Sequence, residues 1–236
     1  MNWITYYRWN RWLHKWAGLA LSLQLLFWIG GGTIMASLDI DEVHGDHLRH
    51  PQSLQLAIAD YRYPLNALLV EHGLNAKQVA FISVGNEPVY KIVTDQVSYF
   101  SAVSGQPMPT LDKQYITDTA RSLFTQTADI TSAELLQELP MEARPLRPPM
   151  WRVDFADKDN TSFYLHPISG ELQRVRSDIW RLFDFVWMLH IMDYDERDDF
   201  NHPLLVAFAA SALLFTLTGV MLLYQTLVAR RPVRKK

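Results

Sequence analysis

The sequence contains no cysteine, and this absence excludes several kinds of site. Without cysteine the chain has no disulfide, no covalently attached c-type haem, no cysteine-ligated iron–sulfur cluster and no thiol nucleophile. It also lacks a G-x-S-x-G nucleophile motif, an H-E-x-x-H zinc motif, a phosphate-binding loop and a glycine-rich dinucleotide fingerprint. Hydrolytic or nicotinamide-dependent chemistry within this chain is therefore not expected.

Charged residues are absent from two long apolar runs, residues 16–35 and 204–224. At about 1.5 Å per helical residue, roughly twenty residues cover the 30 Å of bilayer hydrocarbon. A cleaved signal peptide is the other interpretation of the first run. That run is longer than a typical signal-peptide core, and Met35-Ala36-Ser37 matches a cleavage site poorly, so we favour an uncleaved anchor. The sequence therefore predicts two transmembrane helices.

Acidic residues are absent outside the region between these runs. Residues 36–203 contain all 25 acidic residues and 14 of the 22 basic ones, a formal net charge of −11, whereas segments 1–15 and 225–236 carry only basic residues. Short basic flanks stay in the cytoplasm. We therefore expect a protein of the bacterial inner membrane with both termini cytoplasmic and the central domain periplasmic. The basic flanks are expected to meet the lipid bilayer rather than nucleic acid.

The central region contains an internal repeat. Tyr99 and the pair Ser104-Gly105 recur 65 residues later as Tyr164 and Ser169-Gly170. Each Ser-Gly pair indicates a tight turn in which glycine supplies a positive φ. In each copy a helical stretch precedes three runs rich in β-branched and aromatic residues, as is typical of strands. The predicted helices are 64–73 and 112–125, and the predicted strands are 79–84, 89–94, 97–102, 130–139, 151–156 and 162–166.

These patterns predict an α+β membrane protein. Two transmembrane helices flank a domain, residues 36–177, that is built from two helix-plus-antiparallel-sheet units at about 51–109 and 110–177. An aromatic interfacial helix and an acidic loop follow over residues 178–203, before the second span.

Several motifs resemble those of a known family. The segments YFSAVSGQP and FYLHPISGE resemble the closing strand and turn of PepSY domains. The motif RWLHKWAGL in the first span, a Leu-His pair before the last span and Thr218-Gly219 within it are similar to PepSY-associated transmembrane proteins. The resemblance covers nearly the whole chain, although larger relatives have four spans where this chain shows two.

The resemblance implies two kinds of function. Membrane relatives include b-type haem ferric-siderophore reductases, which implies transmembrane electron transfer or iron uptake with bound haem b. An external flavoprotein or the quinone pool would then be the electron donor. PepSY domains also resemble parts of protease propeptides, which implies the alternative of a non-catalytic anchored module that binds, inhibits or scaffolds a periplasmic partner or membrane complex.

Two histidines are the main candidate ligands. His190 ends the aromatic helix, and a neutral histidine on an apolar face can ligate haem iron. The other interpretation of His190 is an interfacial histidine hydrogen-bonded to the acidic residues that follow. His14 belongs to the motif of the first span and precedes Gly18 by one helical turn; its alternative is a histidine that snorkels among tryptophans and headgroups.

The predicted topology separates these two histidines. His14 is expected at the cytoplasmic edge and His190 at the outer edge, about 30 Å apart, so they do not ligate one haem together. Each then pairs with its copy in a homodimer, with a partner subunit or with another histidine. His202 is the expected outer partner for His190, and His44 could also reach that face. Small residues in both spans would permit a homodimer.

Two further clusters have a metal-binding and a structural interpretation. Segment 39–50 contains His44, His47 and His50 beside acidic residues, but their spacing drifts around a helix and favours a solvated loop. The acidic residues of 193–199 lack the glycine and spacing of a calcium loop. For them we favour a structural role, in which they keep the loop in solvent and cap helices.

Overall fold

The computed structural model describes residues 3–52, 61–199 and 201–227, so most of the basic tail at 225–236 lies outside the described residues. The chain divides into two compact units. We call them the helical unit, Met1–Asp39 with Leu182–Lys236, and the α+β unit, Ile40–Arg181.

The helical unit contains two candidate membrane-spanning helices, α1 (Trp3–Ser37) and α6 (Pro203–Leu227). Only 6% and 11% of the residues in their most apolar windows are buried, whereas the core helix of a soluble protein is mostly buried. This exposure confirms the prediction of two apolar helices able to cross a membrane, which indicates a membrane protein. Helix α1 begins well before the predicted span, as the helical spacing of Trp9, Trp12 and Trp16 predicts.

Helices α1 and α6 pack antiparallel. At one end the Tyr6 hydroxyl donates to Met221 Sδ at 2.7 Å, and at the other the Trp28 ring meets the Phe208 ring edge-on with centroids 5.8 Å apart. Within helix α5 (Asp178–Ile191), residues from Leu182 onward also pack along α1. There Gln24 Nε2 donates to the Leu189 carbonyl at 3.1 Å.

The α+β unit contains two antiparallel sheets, each preceded by a helix, as predicted. The first set is α3 (Leu65–Glu71), β1 (Gln78–Val84), β2 (Glu87–Val93) and β3 (Val97–Ser101). The second is α4 (Lys113–Leu123), β4 (Ile130–Leu136), β5 (Met150–Phe155), β6 (Ser162–Leu165) and β7 (Leu172–Arg176). Strands are ordered β1-β2-β3 and β4-β5-β6-β7. Both Ser-Gly turns have the expected positive φ, +76° at Gly105 and +68° at Gly170.

Strand β7 was not predicted from the sequence. It pairs antiparallel with β6, from Ser162 opposite Arg176 to Leu165 opposite Leu172. Its five residues, LQRVR, include three polar side chains and lack a clear apolar alternation. It forms the edge of its sheet, where one paired neighbour is enough to hold a short polar strand.

The core of the second sheet is aromatic. The Phe124 and Phe155 rings stack with centroids 4.1 Å apart, and both meet the Phe163 ring edge-on. A separate apolar cluster around Val89 and Tyr99 includes Ile168 from the second half of the repeat. The two halves therefore share apolar contacts and form one unit.

Segment 39–50 differs from the expected solvated loop. It forms a short helix, α2 (Ile40–His44), and a 3-10 turn (Asp46–Leu48). Val43 is 1% and Leu48 0% exposed, and Leu48 belongs to the core cluster of the second sheet. These two apolar side chains hold the segment against the sheet. Among the described residues no group of three His, Asp or Glu side chains is arranged to bind a metal ion.

Candidate functional site

His14 lies on α1 and contacts α6. Its Nδ1 is 2.8 Å from Thr218 Oγ1, and that hydroxyl donates its own hydrogen to the Phe215 carbonyl at 2.6 Å. Because a hydroxyl has only one hydrogen, Thr218 accepts from His14, and Nδ1 carries the proton. The imidazole lies parallel to the Phe215 ring, with centroids 4.3 Å apart. In the neutral imidazole, Nε2 therefore keeps its lone pair.

The packing around His14 brings it beside Thr218 and Gly219 of α6. A Cβ atom added to Gly219 would lie 3.0 Å from His14 Cε1, so a larger residue there would require the imidazole to shift by a few tenths of an ångström. Asn10, 3% exposed, donates Nδ2 to the Thr218 carbonyl at 3.3 Å. Thr218 precedes the end of the apolar run at Tyr224 by about 9 Å of helix. His14 is thus level with the apolar part of α6.

His190 lies near the end of α5 and contacts α1. Its Nδ1 is 3.2 Å from the Trp28 backbone carbonyl oxygen. A carbonyl can only accept, so Nδ1 again carries the proton. The imidazole stacks on the Trp28 ring, with centroids 5.4 Å apart and planes 28° from parallel. A Cβ atom on Gly32 would lie 3.4 Å from His190 Cε1, and a cleft of about 510 Å³ opens between His190 and the end of α1.

The two histidines share one arrangement. In each, Nδ1 donates to an oxygen, an aromatic ring covers one face and a glycine faces Cε1. Neither Nε2 has a hydrogen-bond partner among the described residues, and neither belongs to the buried atoms that lack one. Both Nε2 atoms are therefore accessible at the surface of the helical unit. A histidine whose Nδ1–H is held by an acceptor presents Nε2 as a ligand.

The two histidines lie at different levels of the helical unit. His190 contacts α1 at Trp28, and Trp28 follows His14 by about 21 Å of helix. One metal ion cannot contact both imidazoles over this distance. The structure therefore separates them, though by less than the bilayer thickness that the sequence indicated.

The other two candidate histidines have different surroundings. His202 precedes α6, and its Nδ1 is buried without a hydrogen-bond partner in the described part of the chain. No hydrogen bond or ring contact joins His202 to His190. His44 ends α2 in the α+β unit, where it is exposed and lines a polar pocket. Within the described part of the helical unit, His202 thus has no contact with His190 or His14 that would join their imidazoles.

The acidic loop after His190 is organised around Asp193, one of the acidic residues for which the sequence indicates a capping role. Asp193 is 4% exposed. Its Oδ1 accepts from the backbone N–H groups of Asp195 and Glu196, and its Oδ2 from those of Asp198 and Asp199, at 3.1–3.3 Å. Burial acts to raise the pKa of Asp193, but these four donors outweigh it and hold the pKa below its ordinary value. One carboxylate thus closes the loop between α5 and α6.

The helical unit therefore carries two imidazole sites, one at His14 and one at His190, whose Nε2 atoms face outward. Only this geometry bears on what the two sites could bind, because comparison with known proteins adds no family. No protein-family model, curated protein or solved structure matches this chain.

Proposed function

We propose that this chain is a PepSY-type protein of the bacterial inner membrane that acts in transmembrane electron transfer or in ferric-siderophore reduction and uptake, with haem b bound through His14 and His190. One observation carries the proposal. Both histidines present an Nε2 that has no hydrogen-bond partner among the residues the structure describes, with Nδ1 held by an acceptor. A polar atom without a partner is costly in hydrocarbon, and a ligand at Nε2 would offset this cost.

The residues around each imidazole fit a flat iron-bearing group. Haem iron would accept a neutral imidazole nitrogen as a ligand, and a hydrogen bond at Nδ1 fixes the orientation of the ring and strengthens the ligand. Thr218 provides that acceptor for His14, and the Trp28 carbonyl provides it for His190. Haem would supply one-electron chemistry. The protein's own part is to hold the Nδ1 proton, orient Nε2 and keep water away with Phe215 and Trp28.

This chain supplies one histidine at each of the two levels of the helical unit, His14 at one and His190 at the other. A second protein ligand at either level would then come from a second copy in a homodimer or from a partner subunit. His202 is the other candidate near the start of α6, and its unpartnered Nδ1 is consistent with such a role. The chain has no flavin or nicotinamide motif, so electrons would come from a flavoprotein or the quinone pool. Both termini are placed in the cytoplasm and the α+β unit in the periplasm, because of the charge distribution.

The test is to purify the full-length protein in mild detergent from haem-replete cells. Its absorbance is then recorded between about 350 and about 600 nm, the range in which haem absorbs. We expect a Soret band that decreases in His14→Ala and in His190→Ala and is lost in the double variant, because each histidine holds haem at a separate level. His47→Ala, an exposed histidine of the α+β unit, is the matched control and should keep the full band.

The outcome against haem binding is equally clear. A haem-replete wild-type preparation without a Soret band would refute the proposal. A band that the double histidine variant keeps in full would show that haem is bound elsewhere.

A second candidate is a non-catalytic anchored module that binds, inhibits or scaffolds a periplasmic partner or a membrane complex. The contacts of His14 with Gly219 and of His190 with Gly32 favour it, because imidazoles packed against glycines also hold helices together without any ligand. This role predicts that a partner co-purifies through the α+β unit. It also predicts that the histidine variants lower thermal stability while the wild type shows no haem absorbance.

A further inference from the structure

A positively charged pocket lies in an acidic unit. The α+β unit, Ile40–Arg181, contains 18 acidic and 13 basic residues, a formal net charge of −5. Its polar pocket of about 440 Å³ has the opposite sign, because three arginines and one aspartate line it. The aspartate, Asp46, is already paired with Arg49 at 2.6 Å. The charged and aromatic lining residues are His44, Asp46, Arg49, Arg174, Arg176 and Trp180.

The walls of this pocket are held by the core. One wall is the segment from α2 to the 3-10 turn, and the other is the edge strand β7. A Cβ atom on Gly45 would lie 2.5 Å from Val175 Cγ1, so the two walls approach as closely as a glycine allows. The side chain of Gln52 joins them again, since it accepts from Leu172 N at 2.9 Å and donates to the Gly170 carbonyl at 3.2 Å. A pocket with fixed walls binds without the cost of ordering loops.

Two arginines of β7 differ in how they are held. Arg176 is buried, donates Nε to the Glu142 carbonyl at 2.6 Å, and places its guanidinium 3.9 Å over the Trp180 ring. Arg174, two residues earlier on the same face of the strand, is exposed. It has no ion pair with any described residue; its Nη1 donates to the Gln173 carbonyl at 2.8 Å. The pocket thus combines one fixed guanidinium with one that can turn toward a ligand.

We propose that this pocket binds a phosphate-bearing anion. Guanidinium groups match the oxygen geometry of phosphate and bind it through two parallel hydrogen bonds, and Trp180 supplies a flat wall beside the bound group. The phosphate can belong to a soluble phosphate compound or to a phospholipid headgroup, because α2 begins directly after the candidate membrane-spanning helix α1. This site is independent of the two histidines of the helical unit.

The experiment uses the full-length protein in a neutral detergent and measures binding by isothermal titration calorimetry. The probes are inorganic phosphate and dihexanoyl phosphatidic acid, with dihexanoylglycerol as the control lipid that lacks phosphate. Arg174→Gln should weaken binding about tenfold, because charge-assisted hydrogen bonds are lost, and Arg49→Gln with Arg174→Gln should weaken it further. Arg147→Gln removes the same charge from an exposed position of the same unit outside the pocket, and should change affinity less than about twofold.

The outcomes separate the sources and can overturn the proposal. Saturable binding of inorganic phosphate identifies a soluble ligand, and binding of phosphatidic acid alone identifies a headgroup site. No saturable binding of either probe refutes the proposal. Equal losses in Arg174→Gln and Arg147→Gln also refute it, because net charge rather than the pocket would then explain binding. Since the Arg174 side chain is exposed, the variant should unfold at the wild-type temperature, and this is checked beforehand.

Discussion

Two carboxylates, the buried Asp193 in the helical unit and the half-buried Glu142 in the α+β unit, are kept charged by different means. Asp193 in the helical unit accepts four backbone N–H groups. Glu142 in the α+β unit instead accepts from side chains, the Tyr164 hydroxyl at 2.7 Å and Arg181 Nε at 2.8 Å, with Arg152 at 3.7 Å. In both, burial acts to raise the pKa, and hydrogen bonds lower it below the ordinary value.

This difference shows what each carboxylate organises. The partners of Asp193 all lie within six residues, so it determines the path of one loop. The partners of Glu142 are 22 and 39 residues away along the chain, so it joins the segment between β4 and β5 to β6 and to the first turn of α5. Burial and the bond to Glu142 also raise the pKa of Tyr164. The loop is thus stabilised locally, and the network stabilises the tertiary contacts of the α+β unit.

The largest effect is expected at Asp193. Asp193→Ala leaves four backbone donors of the loop without their acceptor, so we expect the unfolding temperature of the purified protein to fall by several degrees. Asp193→Asn keeps one acceptor oxygen, so its unfolding temperature should lie between those of the wild type and Asp193→Ala. Asp198→Ala changes an exposed aspartate of the same loop and should have little effect. Equal unfolding temperatures for the two alanine variants would contradict the assigned role of Asp193.

A smaller effect is expected at Glu142. Glu142→Gln replaces charge-assisted hydrogen bonds to Arg181 and Tyr164 with neutral ones, and should lower the free energy of unfolding by about 2 kcal/mol. Urea unfolding followed by circular dichroism measures this difference. Glu138→Gln makes the same change at an exposed position four residues earlier and is the matched control. If both variants lose the same stability, the network does not depend on the charge of Glu142.

The smallest effect is the pH dependence of the stability difference between wild type and Glu142→Gln. Because the pKa of Glu142 is lower in the folded than in the unfolded protein, its contribution is present above the unfolded pKa of about 4.3 and is lost as the pH falls through the folded pKa. The stability gap between wild type and Glu142→Gln should therefore stay constant from about pH 7 to about pH 5 and shrink below about pH 4. Thermal unfolding across this range measures the gap, and a gap that widens in acid would contradict the assignment.

The elements that could be predicted are those with a local signal. An uncharged run of about twenty residues defines α1 and α6, and β-branched runs bounded by turns define most strands. Strand β7 has no such signal, because its polar residues are held only by pairing with β6 and by its place at the sheet edge. The histidine spacing of segment 39–50 favours a solvated loop, and it gives no sign that Val43 and Leu48 anchor the segment.

The candidate site could be predicted in its residue types but not in its geometry. The basic residues around His14 predict that it lies at the edge of the span. They do not indicate which residues of α6 it contacts, because the register of α1 against α6 follows from contacts such as Asn10 with Thr218. The sequence indicates Asp193 and Asp199 alike as helix caps, and only the path of the loop shows that the Asp193 carboxylate turns inward. The partners of Glu142 are too distant along the chain for any sequence pattern to indicate them.

Helix α1 is longer than a bilayer requires. Its 35 residues extend over about 52 Å, whereas the hydrocarbon layer is roughly 30 Å thick. A helix longer than the hydrocarbon layer can adapt to membranes of different thickness by tilting or by projecting further from the surface. The contacts of Tyr6, His14 and Trp28 with α6 prevent it from sliding on its own. His14 lies on α1 and His190 contacts α1 at Trp28, so the spacing between the two histidine levels is measured along α1 and stays the same when the thickness of the surrounding membrane changes.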